Sequence, residues 1–198
     1  MNYLFEKGTG KNFLLLHGTG GDEYSLVDIA RYLDPQSTIL SLRGRVQEEG
    51  MNRFFKRNGL NQFDINSLEE ESDYLLKKIE EISKENGIVL SDWIIIGYSN
   101  GANIAGHLLL ERNSQLRQAI LLHPMSLGVD TQNGQLSNTA VFLSHGSHDP
   151  IVSSEAFQRL SKQLERRGAA VTVENTEAGH QVTMEEINQV KKWLEKNN

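Results

Sequence analysis

Ser99 lies in Gly97-Tyr98-Ser99-Asn100-Gly101, a G-x-S-x-G segment. A serine hydroxyl becomes a good nucleophile when a neutral imidazole takes its proton, and the imidazole needs a carboxylate to hold its tautomer and stabilise the resulting cation. The segment alone would arise by chance in about 7 % of chains this long, so its surroundings matter. Before it, Trp93-Ile94-Ile95-Ile96 suits a strand buried on both faces, and after it Ala102 to Leu110 reads as a helix. Strand, sharp turn and helix together make a nucleophile elbow, with Oγ standing free at a sheet edge and at the positive end of the helix.

Partners for Ser99 follow from chain order, which in this setting runs nucleophile, acid, histidine. Five of the six histidines come after Ser99: His107, His123, His145, His148 and His180. His107 falls inside the helix that follows the elbow, and the next three precede or adjoin the best acid. His180, in Glu177-Ala178-Gly179-His180, alone follows every acid candidate at a distance. Asp149 ends His145-Gly146-Ser147-His148-Asp149 just after an apolar run, which places it on a loop at the same sheet edge. Asp130 is the alternative, in a polar stretch with no clear strand ahead of it. The expected triad is Ser99, Asp149 and His180.

A developing oxyanion needs backbone donors. The N–H of Asn100 supplies one, and Thr19, flanked by Gly18 and Gly20 after the apolar run Asn12–Leu16, is placed for the second. A phosphate-binding loop is the competing reading, but G-x-G-x-x-G would need glycine where Glu23 stands. His145, His148 and Asp149 could be read as metal ligands; two loop histidines without further partner spacing are better taken as polar loop residues, so no metal and no cofactor is expected. His17 is expected to bond within the Thr19 loop, and His123-Pro124-Met125 to border the pocket.

These side chains must be carried by elements of two periods. Short apolar runs alternate with amphipathic stretches along the whole chain, the pattern of a mainly parallel sheet with crossover helices. Strands are expected at Tyr3–Phe5, Asn12–Leu16, Thr38–Leu42, Trp93–Gly97, Ala119–Leu122, Ala140–Ser144 and Val171–Glu174. Ser67-x-x-Glu70 and Thr183-x-x-Glu186 have the form of capping boxes. One connection, from Arg43 to Asn66, lacks strong periodicity and reads as a long loop.

Composition narrows the function classes. At 198 residues the chain is expected to form one domain, 1–198, and its 20 basic against 26 acidic side chains leave a net charge of -6. That balance argues against nucleic acid and anionic membranes as partners. The first residues lack the features of a signal peptide, no window has the apolar length of a membrane span, and a cytoplasmic location is expected. Without cysteine there is no disulfide or thiolate chemistry.

Taken as an ordered set, Leu16-His17-Gly18, Gly97-Tyr98-Ser99-Asn100-Gly101-Ala102, His145-Gly146-Ser147-His148-Asp149-Pro150 and Gly179-His180 resemble the phospholipase/carboxylesterase family of small α/β-hydrolases over nearly the whole chain. Arg43-Gly44 with Glu49-x-Met51-x-Arg53-Phe54-Phe55 looks like its bacterial carboxylesterase branch. The resemblance implies an α/β-hydrolase fold with helices on both faces of the sheet, no large cap domain, a metal-free site and ester or thioester hydrolysis. Asn100 stands where the acyl-protein thioesterase and lysophospholipase branch carries glutamine, which moves expectation towards a small soluble ester as substrate. An acyl thioesterase and a non-catalytic binding homologue are the alternatives, and monomer and homodimer are both open.

The Arg43–Asn66 connection bears on substrate choice. Arg43, Arg45, Arg53, Lys56 and Arg57 surround Phe54 and Phe55 within fifteen residues of an acidic chain. Either this is a solvated basic loop, or Phe54, Phe55 and Met125 wall the pocket while Arg53 or Arg57 pairs with a substrate carboxylate.

Overall fold

The runs Asn12–Leu16, Thr38–Leu42 and Trp93–Gly97 carry apolar residues on both faces, and such segments are stable only in the middle of a covered sheet. A computed structural model describes residues 2–197. In chain order it contains β1 (Tyr3–Glu6), β2 (Asn12–Leu16), α1 (Val27–Leu33), β3 (Thr38–Leu42), β4 (Val46–Glu48), β5 (Met51–Arg53), β6 (Arg57–Gly59), β7 (Gln62–Phe63) and α2 (Ile65–Asn86). There follow β8 (Trp93–Tyr98), α3 (Asn100–Glu111), β9 (Gln118–Leu122), β10 (Ala140–Gly146), α4 (Ser154–Arg166), β11 (Ala170–Thr176) and α5 (Met184–Lys196). Seven strands form one sheet in the order β1-β3-β2-β8-β9-β10-β11, with β1 antiparallel and the others parallel. All seven expected strands are present, to within a residue or two at their ends.

Side-chain alternation divides the interior into two cores. Leu14 and Leu16 of β2, Ile95 of β8 and Leu121 of β9 face the larger core with α2, α3 and α4. Phe13 and Leu15, Ile94 and Ile96, and Ile120 and Leu122 face the other, with α1 and α5. Each such side chain removed from water contributes about 2 kcal/mol, so this alternation also fixes the strand register. α3 is buried along its entire length, Asn100 to Glu111. Its small residues permit this: a Cβ on Gly101 would lie 2.0 Å from the Leu16 carbonyl oxygen.

Two expectations are corrected. α2 begins at Ile65, two residues before Ser67, because Asp64 caps it by accepting the Ser67 N–H at 3.0 Å, and the Ser67 hydroxyl accepts from Lys56 N instead. The Thr183–Glu186 box, by contrast, caps α5 as read. The 43–66 connection is not irregular: β4 pairs with β5 and β6 with β7, two antiparallel ribbons whose strands of two or three residues are too short to display a period. No helix among the described residues is long and apolar enough to cross a membrane.

Candidate active site

β8 delivers Ser99 to the carboxyl end of the sheet in a conformation that few residues adopt. Ser99 has φ 51° and ψ −113°, outside the regions favoured for an L-residue. Such strain costs on the order of 1–3 kcal/mol and persists only where neighbours enforce it. Here Ser99 N donates to the Leu122 carbonyl at 2.9 Å and Asn103 N to the Ser99 carbonyl at 2.9 Å. A Cβ at Gly97 would meet Ala102 N at 2.8 Å, so the elbow's flanking glycines answer to close backbone packing on both sides.

Asp149 follows β10 and turns its carboxylate inward, with no exposed side-chain surface. Its Oδ1 accepts the N–H groups of Ile151 at 2.8 Å and Val152 at 2.9 Å, while Oδ2 accepts from His180 Nδ1 at 2.7 Å. Burial alone would push this carboxyl up; the Val152 N–H, His180 and the Ile151 N–H outweigh it and hold the group below its ordinary range. His180 Nε2 lies 2.8 Å from Ser99 Oγ. With Nδ1–H directed at Asp149, Nε2 is the nitrogen free to accept the serine proton. The loops are fastened together: His148 N donates to Ala178 O at 3.0 Å, and the Tyr98 hydroxyl donates to His180 O at 2.8 Å.

The Thr19 loop is held from behind. His17 Nδ1 donates to Gly18 O at 2.6 Å and its Nε2 accepts from Gly44 N at 2.9 Å, an arrangement of the neutral ring. Burial also lowers the pKa of His17, which favours that form. From the front, Gly20 N donates to Asn52 O at 2.9 Å and Asn52 Nδ2 to Gly21 O at 2.7 Å. Asn100, first residue of α3, has an N–H with no acceptor inside its own helix. Its side-chain oxygen accepts from Phe54 N at 2.7 Å, so the elbow also anchors the β4–β5 ribbon.

Ser99, Thr19, Asn100 and His180 border one cavity of about 260 Å³. Arg53, Arg57 and Met125 line it, as does a set the sequence did not single out: Met51, Leu60, Phe63, Tyr98, Ile151 and Val152. Only the position of the 150–152 turn beside Asp149 could have pointed to any of these, namely Ile151 and Val152. Phe54 and Phe55 do not line it. They are 1 % and 0 % exposed and pack into the larger core, because the ribbon turns both rings inward against α2 and α3. Arg43 pairs with Glu23 and Arg45 with Glu71, leaving Arg53 and Arg57 as the cations of the cavity. Arg53 donates to Thr19 Oγ1 at 2.9 Å and lies 3.2 Å from Glu48. Burial and the neighbouring Arg57 both push its pKa down.

The remaining candidates take no part in this constellation. Asp130 is paired with Arg166 and Arg167. His145 and His148 bond to the carbonyls of Val152 and Glu177 and do not converge on Asp149. His123 does not border the cavity: it is fully buried beneath it, its Nδ1 3.3 Å from Asp149 Oδ2. His123, Asp149 and His180 bring ligand atoms within 4.8 Å of one another, the sort of grouping that can hold a metal. Those atoms are already turned on each other, and an ion would have to break both histidine bonds to Asp149.

An imidazole between a strained serine and a buried carboxylate is an arrangement that can move a proton off a hydroxyl and on to a leaving group. Residues 7–198 match the phospholipase/carboxylesterase family. The hydrolase MhqD of Bacillus subtilis is 38 % identical over 194 residues, covering 98 % of this chain and 97 % of its own. The crystal structure of a Bacillus cereus carboxylesterase superposes with a TM-score of 0.97 at 39 % identity, over 100 % of this chain and 95 % of that one. The structure of YahD with malic acid matches with a TM-score of 0.95 at 39 % identity, over 100 % and 99 % of the two chains. The chain belongs to the phospholipase/carboxylesterase family of α/β-hydrolases.

Proposed function

We propose that the protein is a serine carboxylesterase that cleaves small carboxylic esters through an acyl-enzyme on Ser99. The observation that carries this reading is the unbroken chain Ser99 Oγ, His180, Asp149, at 2.8 and 2.7 Å, on a serine held at φ 51°. His180 Nε2 takes the hydroxyl proton as Oγ attacks the ester carbonyl. The N–H groups of Thr19 and Asn100 bind the oxyanion, each worth about 3 kcal/mol in the transition state. His180 then protonates the departing alkoxide, and a water activated in the same way releases the acid.

The substrate we assign is a short ester carrying a free carboxylate. A cavity of about 260 Å³ suits a small acyl group better than a lipid chain, which favours this over an acyl thioesterase. Arg57 is the more available cation, since its side-chain ion pair among the described residues, with Glu49 at 3.4 Å, has a solvent-exposed partner. Arg53 is engaged by Thr19 and Glu48 and backs it electrostatically. Malic acid, which accompanies YahD, is a small molecule of that charge class.

The test is a panel of p-nitrophenyl esters, neutral and carboxylated, of increasing length, together with a fluorophosphonate probe. Ser99 should be the residue labelled, and short carboxylated esters should have the highest kcat/KM. Labelling elsewhere would remove the triad assignment; a preference for long neutral chains would favour the thioesterase.

A further inference from the structure

Glu49 stands where the backbone does not favour a glutamate. Glu48 and Met51 close the β4–β5 ribbon around the turn Glu49-Gly50, and both turn residues have positive φ, 51° and 76°. Such a turn favours Asn or Gly at its first position, because a longer L side chain is strained there. Packing does not ask for the glutamate either: a Cβ on Gly50 would meet no atom within 4 Å, and the Glu49 side chain is 77 % exposed. Its carboxylate accepts from Arg57 Nη2 at 3.4 Å. A strained residue of definite charge points to what that charge holds.

Arg57 is shared between two spaces. It lines the catalytic cavity, and with Glu48, Glu49, Gly59 and Leu60 it also lines an outer cleft of about 450 Å³. Its backbone is fixed, since its N–H donates to Glu48 Oε1 at 3.2 Å and it pairs with Phe63 across the β6–β7 ribbon. Its side chain is partly exposed and reaches Glu49. Arg53 differs: its side chain is 7 % exposed and held between Thr19 Oγ1 at 2.9 Å and Glu48 Oε2 at 3.2 Å. Two arginines therefore face two glutamates, with no net charge to draw an anion into the cavity. Of the two pairs, Arg57–Glu49 is the one that opens into water at little cost, because an exposed pair at this distance is worth little.

We propose that Glu49 is a specificity-determining residue: in the free enzyme it occupies Arg57 as an internal stand-in for the substrate carboxylate, and it yields the guanidinium when an acidic ester enters. This rests on the carboxylated-ester reading above. The exchange puts one carboxylate in place of another on the same guanidinium and releases Glu49 to water, where it is fully hydrated. A neutral ester offers nothing to exchange and leaves the pair closed. The acidic ester therefore binds more weakly than a bare arginine would hold it, and the carboxylated product is let go by the same exchange in reverse. Glu49 is not part of the cavity lining, so its influence falls on binding and not on the chemical step.

The test is steady-state kinetics of Glu49→Gln on a carboxylated p-nitrophenyl ester and its neutral counterpart, at about 0.1 M salt so that charges more than about 10 Å apart are screened. The ratio of kcat/KM between the acidic and the neutral ester should rise about threefold, through a lower KM for the acidic ester at unchanged kcat. That rise should vanish in an Arg57→Met background, where no cation is left to release. An unmoved ratio in Glu49→Gln, while Arg57→Met lowers it, overturns the proposal. So does a rise that survives in the Arg57→Met background, which marks simple repulsion between Glu49 and the ester. If Arg57→Met itself leaves the ratio unchanged, the carboxylated-ester reading fails and takes the proposal with it. Glu49→Asn, a residue suited to the turn, is the second variant: Tm should hold or rise while the ratio rises as it does for glutamine, and a ratio that stays in place there is equally adverse. Fluorophosphonate labelling of Ser99 in the wild-type protein separates these outcomes from failure of the triad itself.

Discussion

The two sides of the cavity are built on opposite principles. On one side, β8, Ser99 and α3 are fixed by backbone packed so closely that Gly97 and Gly101 admit no Cβ, and the helix is buried throughout. On the other, the ribbons β4–β5 and β6–β7 are strands of two or three residues held over the site by side-chain bonds. These are Asn52 to Gly21, Asn100 to Phe54, and Asn61 Nδ2 to the Ile151 carbonyl at 2.9 Å. In the proposed reaction the first side supplies the nucleophile whatever the ester, and the second, with Arg53, Arg57 and Leu60, is proposed to meet the variable part of a substrate. On that reading chemistry is tied to the global core and selectivity to a few local polar contacts.

The sharpest break of this contrast is on the fixed side. Ser99→Ala should reduce kcat by on the order of 10⁶ for every ester while leaving Tm unchanged, measured by burst-free steady-state rates and calorimetry. Asp149→Asn should cost about 10⁴ in kcat, whereas Asp130→Asn, at its Arg166–Arg167 site, should leave kcat near wild type. Phe54→Ala distinguishes core from pocket wall: a stability loss of about 3–5 kcal/mol by urea titration, with the ratio of rates between esters preserved, is expected of a core ring. A changed ester preference at constant stability would return Phe54 to the cavity.

On the ribbon side effects should be smaller and selective. Arg57→Met should lower kcat/KM for a carboxylated ester relative to its neutral counterpart by about tenfold at low salt, and the difference should shrink as salt screens the pair. The smallest effect concerns His17, the hinge between the two sides. Its folded pKa is depressed by burial, so the unfolded chain binds the proton first as pH falls. Stability is therefore complete above the ordinary imidazole range and declines below it. A calorimetric Tm should fall from pH 7 to pH 5, and His17→Asn should flatten that slope.

How far the sequence could be read follows the same division. β2, β3, β8, β9 and β10 are visible because continuous apolar runs have no other stable home, and the order Ser99, Asp149, His180 is what brings three loops to one sheet edge. The ribbons were invisible because a strand of three residues has no period to detect. Phe54 and Phe55, set among arginines, look like pocket residues until the ribbon's turn inward is known. Glu49 and Arg57 lie 8 positions apart on two different ribbons, and nothing local marks the pair; Glu186 was legible, as a cap.

α3 has no wet face, and its first residue carries one of the two proposed oxyanion donors. A helix enclosed on every side cannot fray at its tip or tilt on its axis without opening the hydrophobic interior around it. Esterase competence and the cooperative melt of the molecule then share a single transition. During a thermal ramp the residual rate should decline in step with the folded fraction, so that turnover itself becomes a gauge of how much native protein remains.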